Sequence, residues 1–244
     1  MKRIVLTLGC LMALCSPTPC LLSQTAKGAT ADKGGAKDYY VSPDGADKNP
    51  GTRDKPFKTI HKAADIMVAG DTCYVRGGTY RETVKVKNSG TEEEPISFVA
   101  WPKETVTISG LEPVKTNWVG YFGYKTWTGE QEKAFQAGAP AKYTQLFVDG
   151  KLMKRMDKPE AIDSPKQWSS TNGRIMLWPP EKKSGSYNNP TDRKVEGKVR
   201  DFAFEVSSAN YVVIRNFRFF ATTIKFENCD YCTIDKCCFS QPKP

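Results

Sequence analysis

The chain has 244 residues, 39% hydrophobic and 26% charged, with a formal net charge of +9 at pH 7. That length suits one large domain or two small ones, and the hydrophobic share builds a core without making a membrane protein. Three of the positive charges (Lys2, Arg3, Lys27) precede the first acid, leaving +6 from Asp32 onward, so a polyanionic partner is allowed but not demanded.

Lys2 and Arg3 open the chain, and Ile4 to Leu14 is an apolar run too short to span a bilayer. Small residues follow, with Ala29-Thr30-Ala31 as one cleavage site and others near Ser23. Residues 1–31 read as a signal peptide and cleavage region. The mature protein is therefore expected to be secreted, either extracellular or periplasmic. Cys10, Cys15 and Cys20 lie in this segment without a lipoprotein context. Thr25 to Lys37 is rich in Ala, Gly and Lys and reads as a flexible lead-in. No later stretch is long and apolar enough to cross a membrane.

From residue 39 the chain changes character. Tyr39-Tyr40-Val41 is a strand, and a turn-rich loop follows. Phe57, Ile60, Ala64 and Met67 then recur at helical spacing, with Pro56 in the first turn and Ala69-Gly70-Asp71 at the stop. His61, the single histidine, reads as a helix-boundary residue. With a single histidine, neither a Ser-His-Asp triad nor a multi-histidine metal site is expected. Short strands follow: Thr72-Cys-Tyr-Val75 is echoed by Ile96-Ser-Phe-Val99, and Thr83-Val-Lys-Val86 by Thr105-Val-Thr-Ile108. Each ends near Gly, Asn or Pro.

Residues 111–198 break that rhythm. They hold Trp118, Trp127, Trp168 and Trp178. Residues 145–156 read as a hairpin turning at Asp149-Gly150, and residues 173–181 as a strand ending at Pro179-Pro180. This is a β-rich insertion. Its Trp and Tyr rings either wall a carbohydrate groove or form the insertion's own core. The second reading is expected for at least two of the four Trp.

Residues 199–244 return to the rhythm. "NYVVIRNFRFF" and "DYCTIDKCCFS" align at an offset of twenty, matching Tyr211 with Tyr231, Ile214 with Ile234 and Phe219 with Phe239. A period of that size built from short strands marks a solenoid, whose coils bury a core only when stacked. Cys229, Cys232, Cys237 and Cys238 fall inside the repeat and read as small apolar fillers rather than as a zinc set. A disulfide among them fits an oxidising compartment, with the pairing open. The isolated helix near residue 60 then makes sense as a cap on an exposed solenoid end.

The run "YYVSPDGADKNPGTRDKPFKTIHKAAD…AGDTCYVRGGTYRETVKVKNSG" resembles the start of right-handed parallel β-helix proteins of the pectate-lyase-like superfamily. It is similar in style to bacterial secreted polysaccharide lyases and related glycoside hydrolases. The resemblance covers residues 39–110, and 199–240 as generic coils. Similar insertions with a "FVDGK" hairpin occur in β-helix proteins that resemble this one. The fold class expected is all-β: a right-handed parallel β-helix with an N-terminal capping helix and a β-rich insertion. Domains are expected at 32–110 (cap and first coils), 111–198 (insertion) and 199–244 (further coils). About five coils or partial coils are counted, fewer than catalytic β-helices carry. Either a truncated reading frame or a covering partner is therefore expected at Pro244, and in the truncated case the true site lies beyond it.

The resemblance implies β-elimination on a uronate polymer, with Ca²⁺ on the sugar carboxylate and Lys or Arg as base. A hydrolase would need two carboxylates at a set separation. A non-catalytic glycan-binding or surface structural module is the alternative from another class. Outward candidates on the coils are Glu205, Arg215, Lys225, Glu227, Asp230, Asp235 and Lys236. Lys225, Glu227 and Asp230 form the densest mixed cluster and are the catalytic candidates. Arg215, Trp168 and Trp178 are the substrate-binding candidates. The expected partner is a polysaccharide, acidic by the charge balance. Nucleic acid is not expected, since no basic-aromatic motif stands out.

Overall fold

The protein is described from a computed structural model, and the residues described are 5–6, 35–120, 134–138, 143–180 and 190–241. The cleavage region, Cys10, Cys15, Cys20 and Trp127 lie outside the described residues. The chain divides into two compact units. One runs to Ser109 and resumes at Phe202; the other is Gly110–Asp201.

The first unit is made of three all-parallel sheets, as a solenoid requires. The first sheet orders Asp38–Val41, Thr72–Val75, Ile96–Ala100, Val212–Arg215 and Thr233–Asp235, with Val5–Leu6 at its far edge. The second holds Gly78–Tyr80, Val106–Ser109, Arg218–Phe220 and Cys238–Ser240. The third holds Val84–Val86, Phe202–Ser207 and Thr223–Glu227. The chain visits them in rotation, and consecutive visits to a sheet pair in register. Alternation then sends one set of side chains inward. Cys73, Phe98, Ile214 and Ile234 form one inward column, and Tyr80, Ile108, Phe219 and Phe239 another. Phe98, Phe204, Phe217 and Phe219 meet edge-on and tilted at the centre, with centroids 5.3–6.3 Å apart.

The offset of twenty is a register. Ile214 pairs with Ile234 and Phe219 with Phe239. The Tyr211 and Tyr231 rings stack at 4.8 Å and 5°. The corners repeat as well: Ser208/Asn228, Tyr211/Tyr231, Asn216/Lys236 and Ala221/Gln241 all have φ between 51° and 67°. Cys229 and Cys232 are buried in the core and Cys237 is half-buried, while Cys238 is exposed beside Arg218. All five described cysteines are free thiols, and no group of three or more His, Cys, Asp or Glu converges on a metal position among the described residues.

One expected echo is corrected. Val84–Val86 and Val106–Ser109 do not stack on each other. The former pairs with Phe204–Val206 in the third sheet, and the latter with Gly78–Tyr80 in the second. Two similar apolar tetrads sit one sheet apart because each coil needs an inward pair on every side. The helix is also shorter than its apolar spacing suggests, spanning Ile60–Ala64. Phe57 instead bridges Val41 in parallel, and Pro56 precedes the helix. The Asp47 carboxylate accepts the N–H groups of Lys58 and Thr59 and the Thr59 hydroxyl, which holds the chain extended until the Thr59 N-cap accepts from Lys62. Phe57, Ile60, Ala64 and Met67 are all buried nonetheless. Gly51, at φ +78°, lets the Phe57 ring pass where a Cβ would sit at 2.2 Å.

Glu82 fastens this helix by accepting the N–H groups of Ile60 at 3.0 Å and His61 at 2.9 Å. Burial pushes its carboxyl above the ordinary glutamate range, against the pull of those two bonds. A carboxyl raised on folding holds its proton more tightly folded than unfolded. Its contribution is therefore full below the unfolded value and is lost as pH rises through the folded one. Glu82→Gln is expected to gain Tm relative to the parent as pH rises from about 4 to about 7. A pH-independent offset between the two would contradict this.

The second unit has its own sheets. Leu146–Val148 turns through Asp149 (φ 50°) and Gly150 (φ 76°) into Lys151–Leu152, the hairpin expected from sequence. It continues antiparallel to Val195–Lys198, which pairs with Leu111–Pro113. A second sheet joins Lys154–Arg155, Gln167–Thr171, Arg174–Trp178, Phe135–Gly138 and Val119–Gly120. Trp118, Phe135, Leu146, Val148, Trp168, Ile175 and Leu177 fill its main core.

Candidate functional site

The third sheet's outer face carries charge in register. Lys85, Glu205 and Lys225 stand opposite one another on successive coils, and Ser207 stands opposite Glu227. Coils about 4.8 Å apart make this an alternating column of cation, carboxylate and cation. Lys225 and Glu227 share a face two residues apart, and the Lys225 ammonium lies 2.8 Å from the Glu227 carboxylate. The hydrogen bond that the Lys225 ammonium donates to Glu227 holds the Lys225 proton more tightly, and the same bond holds Glu227 below the ordinary carboxylate range. A base working near neutral pH needs the opposite shift for Lys. Lys225 therefore presents a fixed positive charge, suited to holding a carboxylate rather than taking a proton.

Asp230 sits at the corner beyond Cys229. Its backbone N–H donates to the Asn210 side-chain oxygen at 2.8 Å, and its carbonyl accepts from Tyr211. No side-chain bond joins it to Lys225 or Glu227 among the described residues. Arg215 lies on the first sheet, where it pairs with Asp235 one coil away at 2.8 Å. The substrate-binding reading of Trp168 and Trp178 is corrected. Trp168 is fully buried in the second unit's core, with the Arg155 guanidinium 5.4 Å from its ring centre. Trp178 is buried with Ala134, Ile162 and Met176. Neither offers a ring face to a sugar, because both rings are packed among apolar side chains of the second unit.

His61 is a positioning residue of the helix. Its N–H is held by Glu82, its Nδ1 accepts the Lys85 N–H at 3.2 Å, and its Nε2 lies 3.7 Å from Asp65. Among the described residues no three carboxylates gather at one point where a Ca²⁺ ion would draw its charged ligands. The outward carboxylates Glu227 and Asp235 are each tied to a cation instead.

Sequence reasoning missed one cluster. Tyr40 and Tyr74 stand opposite each other on the outer face of the first sheet and stack at 5.5 Å. Trp101 meets both rings, at 5.9 and 5.7 Å. The Arg53 and Arg76 guanidinium groups each lie 5.5 Å from the Trp101 ring centre. The signal was present in the echo of Tyr-Tyr-Val41 by Cys-Tyr-Val75, which places an aromatic residue outward on two consecutive coils.

Residues 39–134 match the family model of the Pel9A-like right-handed beta helix region. Over 81 residues the chain is 49% identical to the uncharacterized protein YwoF of Bacillus subtilis, covering 33% of this chain and 17% of that one. Over 79 residues it is 46% identical to the pectate lyase PEL9 of Emericella nidulans, covering 32% and 19%. The chain thus spans less than a fifth of either curated relative. Among solved structures, the complex of XylC with xylose superposes with a TM-score of 0.60 at 21% identity, covering 75% of this chain and 35% of that one. A glycoside hydrolase superposes at 0.54 and 15% identity, covering 76% and 51%. These two show a shared fold. The Pel9A-like match ends before Thr223–Glu227, so Lys225 and Glu227 rest on the structure alone. Among the described residues no helix is long and apolar enough to cross a membrane.

Proposed function

We propose that this chain is part of a secreted carbohydrate-active β-helix protein that cleaves an acidic, uronate-containing polysaccharide by β-elimination. The observation that carries this reading is the 46% identity to a pectate lyase over the first coils. The outward Lys225–Glu227 pair agrees with it chemically. In a lyase, positive charge must offset the sugar carboxylate while a base takes the proton alpha to it. The C–O bond to the leaving sugar then breaks, a C=C bond forms in the ring, and the departing oxygen takes a proton from water. Lys225 fits the first role, since its charge is held and its side chain faces outward. Glu227, once a sugar carboxylate competes for Lys225, or Asp230, fits the second. The leader at residues 1–31 is proposed to direct export, and the helix Ile60–Ala64 to cap the first coils.

The test is to incubate the protein with polygalacturonate and follow the absorbance of unsaturated uronate ends. A rise in the parent is expected, with the rate falling about 10²-fold or more in Lys225→Ala. The Lys225–Glu227 ion pair, which occupies both groups at 2.8 Å, favours a second reading, a glycan-binding module without turnover. Binding of polygalacturonate with no absorbance change would establish that reading instead.

A further inference from the structure

We propose that the outer face of the first sheet at Tyr40, Tyr74 and Trp101 is a separate binding site for a uronate-containing glycan, with Arg53 as the contact to a sugar carboxylate. This rests on the acidic-glycan reading above but not on cleavage. The site lies on a different sheet from Lys225 and Glu227.

Three half-exposed aromatic rings gather here on one face of a rigid parallel sheet. Rings on the outer face of a sheet contribute nothing to the core, and their apolar area stays wet unless something covers it. The Tyr40 and Tyr74 hydroxyls have no hydrogen-bond partner among the described residues, so both are free to bond a sugar hydroxyl. They stand one coil apart, about 4.8 Å along the stack, which spaces the two phenols along one direction of an extended chain.

The two arginines are not equivalent. Arg76 is engaged by Glu104, which accepts from its Nε at 3.1 Å and its Nη2 at 2.8 Å, and also holds the Gly77 N–H. That pair fixes Arg76 as a wall. Arg53 is exposed, rests on the Trp101 ring and has no carboxylate partner among the described residues. Its guanidinium, 5.5 Å from the Trp101 ring centre, keeps its N–H donors unclaimed by any carboxylate among the described residues. It is thus prepared for a bidentate bond to a planar carboxylate. Asp38 lies on the same face two residues before Tyr40, and burial together with Asp71 pushes its carboxyl upward. The sugar carboxylate is assigned to Arg53 because Arg76 is already engaged by Glu104.

The probes are oligogalacturonate and its fully methyl-esterified form, titrated by calorimetry against the whole chain. The parent is expected to bind the free acid at least tenfold more tightly than the ester. Arg53→Ala is expected to remove that preference, and Tyr74→Phe, which takes away one hydroxyl and keeps the ring, to weaken both ligands a few-fold. Arg53 is exposed, so its variant tests the site without threatening the fold. Unchanged affinity in Arg53→Ala with loss in Lys225→Ala would overturn this site and leave the acidic-glycan function standing. No binding of either probe by the parent would overturn both.

Discussion

Phe204→Ala is expected to destabilise the first unit by about 3–5 kcal/mol. Phe204 is fully buried at the point where the three sheets face one another. Its ring meets Phe98 at 5.3 Å, Phe217 at 6.0 Å and Phe219 at 6.3 Å. Val84 and Ile224 flank it in register on the coils either side. Stacked coils are rigid along the strand direction, because every strand is hydrogen-bonded to its neighbours. The cavity left by the ring therefore has little means to collapse, and the cost falls in the upper range for its type. Urea unfolding followed by calorimetry and far-ultraviolet circular dichroism reads the effect. Phe239→Ala, at a position 39% exposed, serves as the control and should cost far less. A loss below about 1 kcal/mol for Phe204→Ala would mean that the core is looser than its contacts indicate.

Asp71→Ala is expected to cost a comparable amount, for a polar reason. Asp71 is fully buried. One carboxylate oxygen accepts the Lys37 N–H at 2.7 Å and the other accepts the Val68 N–H at 2.9 Å. Its carbonyl accepts from Ser97. A single side chain thus ties the first strand, the end of the helix segment and the second strand together. Removing it leaves two backbone donors without partners, at about 1–3 kcal/mol each. Asp71→Asn keeps one acceptor oxygen and should lose about half as much. Equal losses for Ala and Asn would show that charge, not the pair of hydrogen bonds, is what the site requires. The measurement is the Tm of each variant at one pH.

The coil architecture was legible because the stack repeats side chains as well as backbone. The match of Tyr211 with Tyr231 and of Phe219 with Phe239 is visible in the letters, since like residues stack face to face on successive coils. The corners were not legible. Their left-handed residues are Ser, Tyr, Asn, Ala, Lys and Gln, with none of the glycines that usually mark such positions. The stacked coil above and below holds these conformations, and that information is not local. In the loop Asp47…Asn49-Pro50-Gly51…Phe57, Asp47, Asn49 and Gly51 each have a structural task. Asp47 and Asn49 bond backbone groups, and Gly51 admits the Phe57 ring. The site is harder to read. Lys225 and Glu227 are outward by alternation alone, but their mutual pairing, which decides what either can do, depends on rotamers. Trp168 and Trp178 misled because tryptophan serves sugar stacking and core filling equally well, and only the fold of the second unit distinguishes the two.

The interruption between Ser109 and Phe202 also bears on the order in which the molecule can assemble. Thr83 donates to the Phe202 carbonyl across 119 residues, so the third sheet cannot begin to close until most of the chain has been made. A flexible loop of that length is slow to search, although its entropic cost grows only by about 0.6 kcal/mol per doubling. The second unit shortens the search. Its own strands pair Leu111 with Lys198, and Val199 donates to the Gly110 carbonyl, which brings its two ends side by side. Once that unit has folded, the path from Ser109 to Phe202 is short. The timing of the solenoid's growth is then set by the folding rate of the segment that interrupts it.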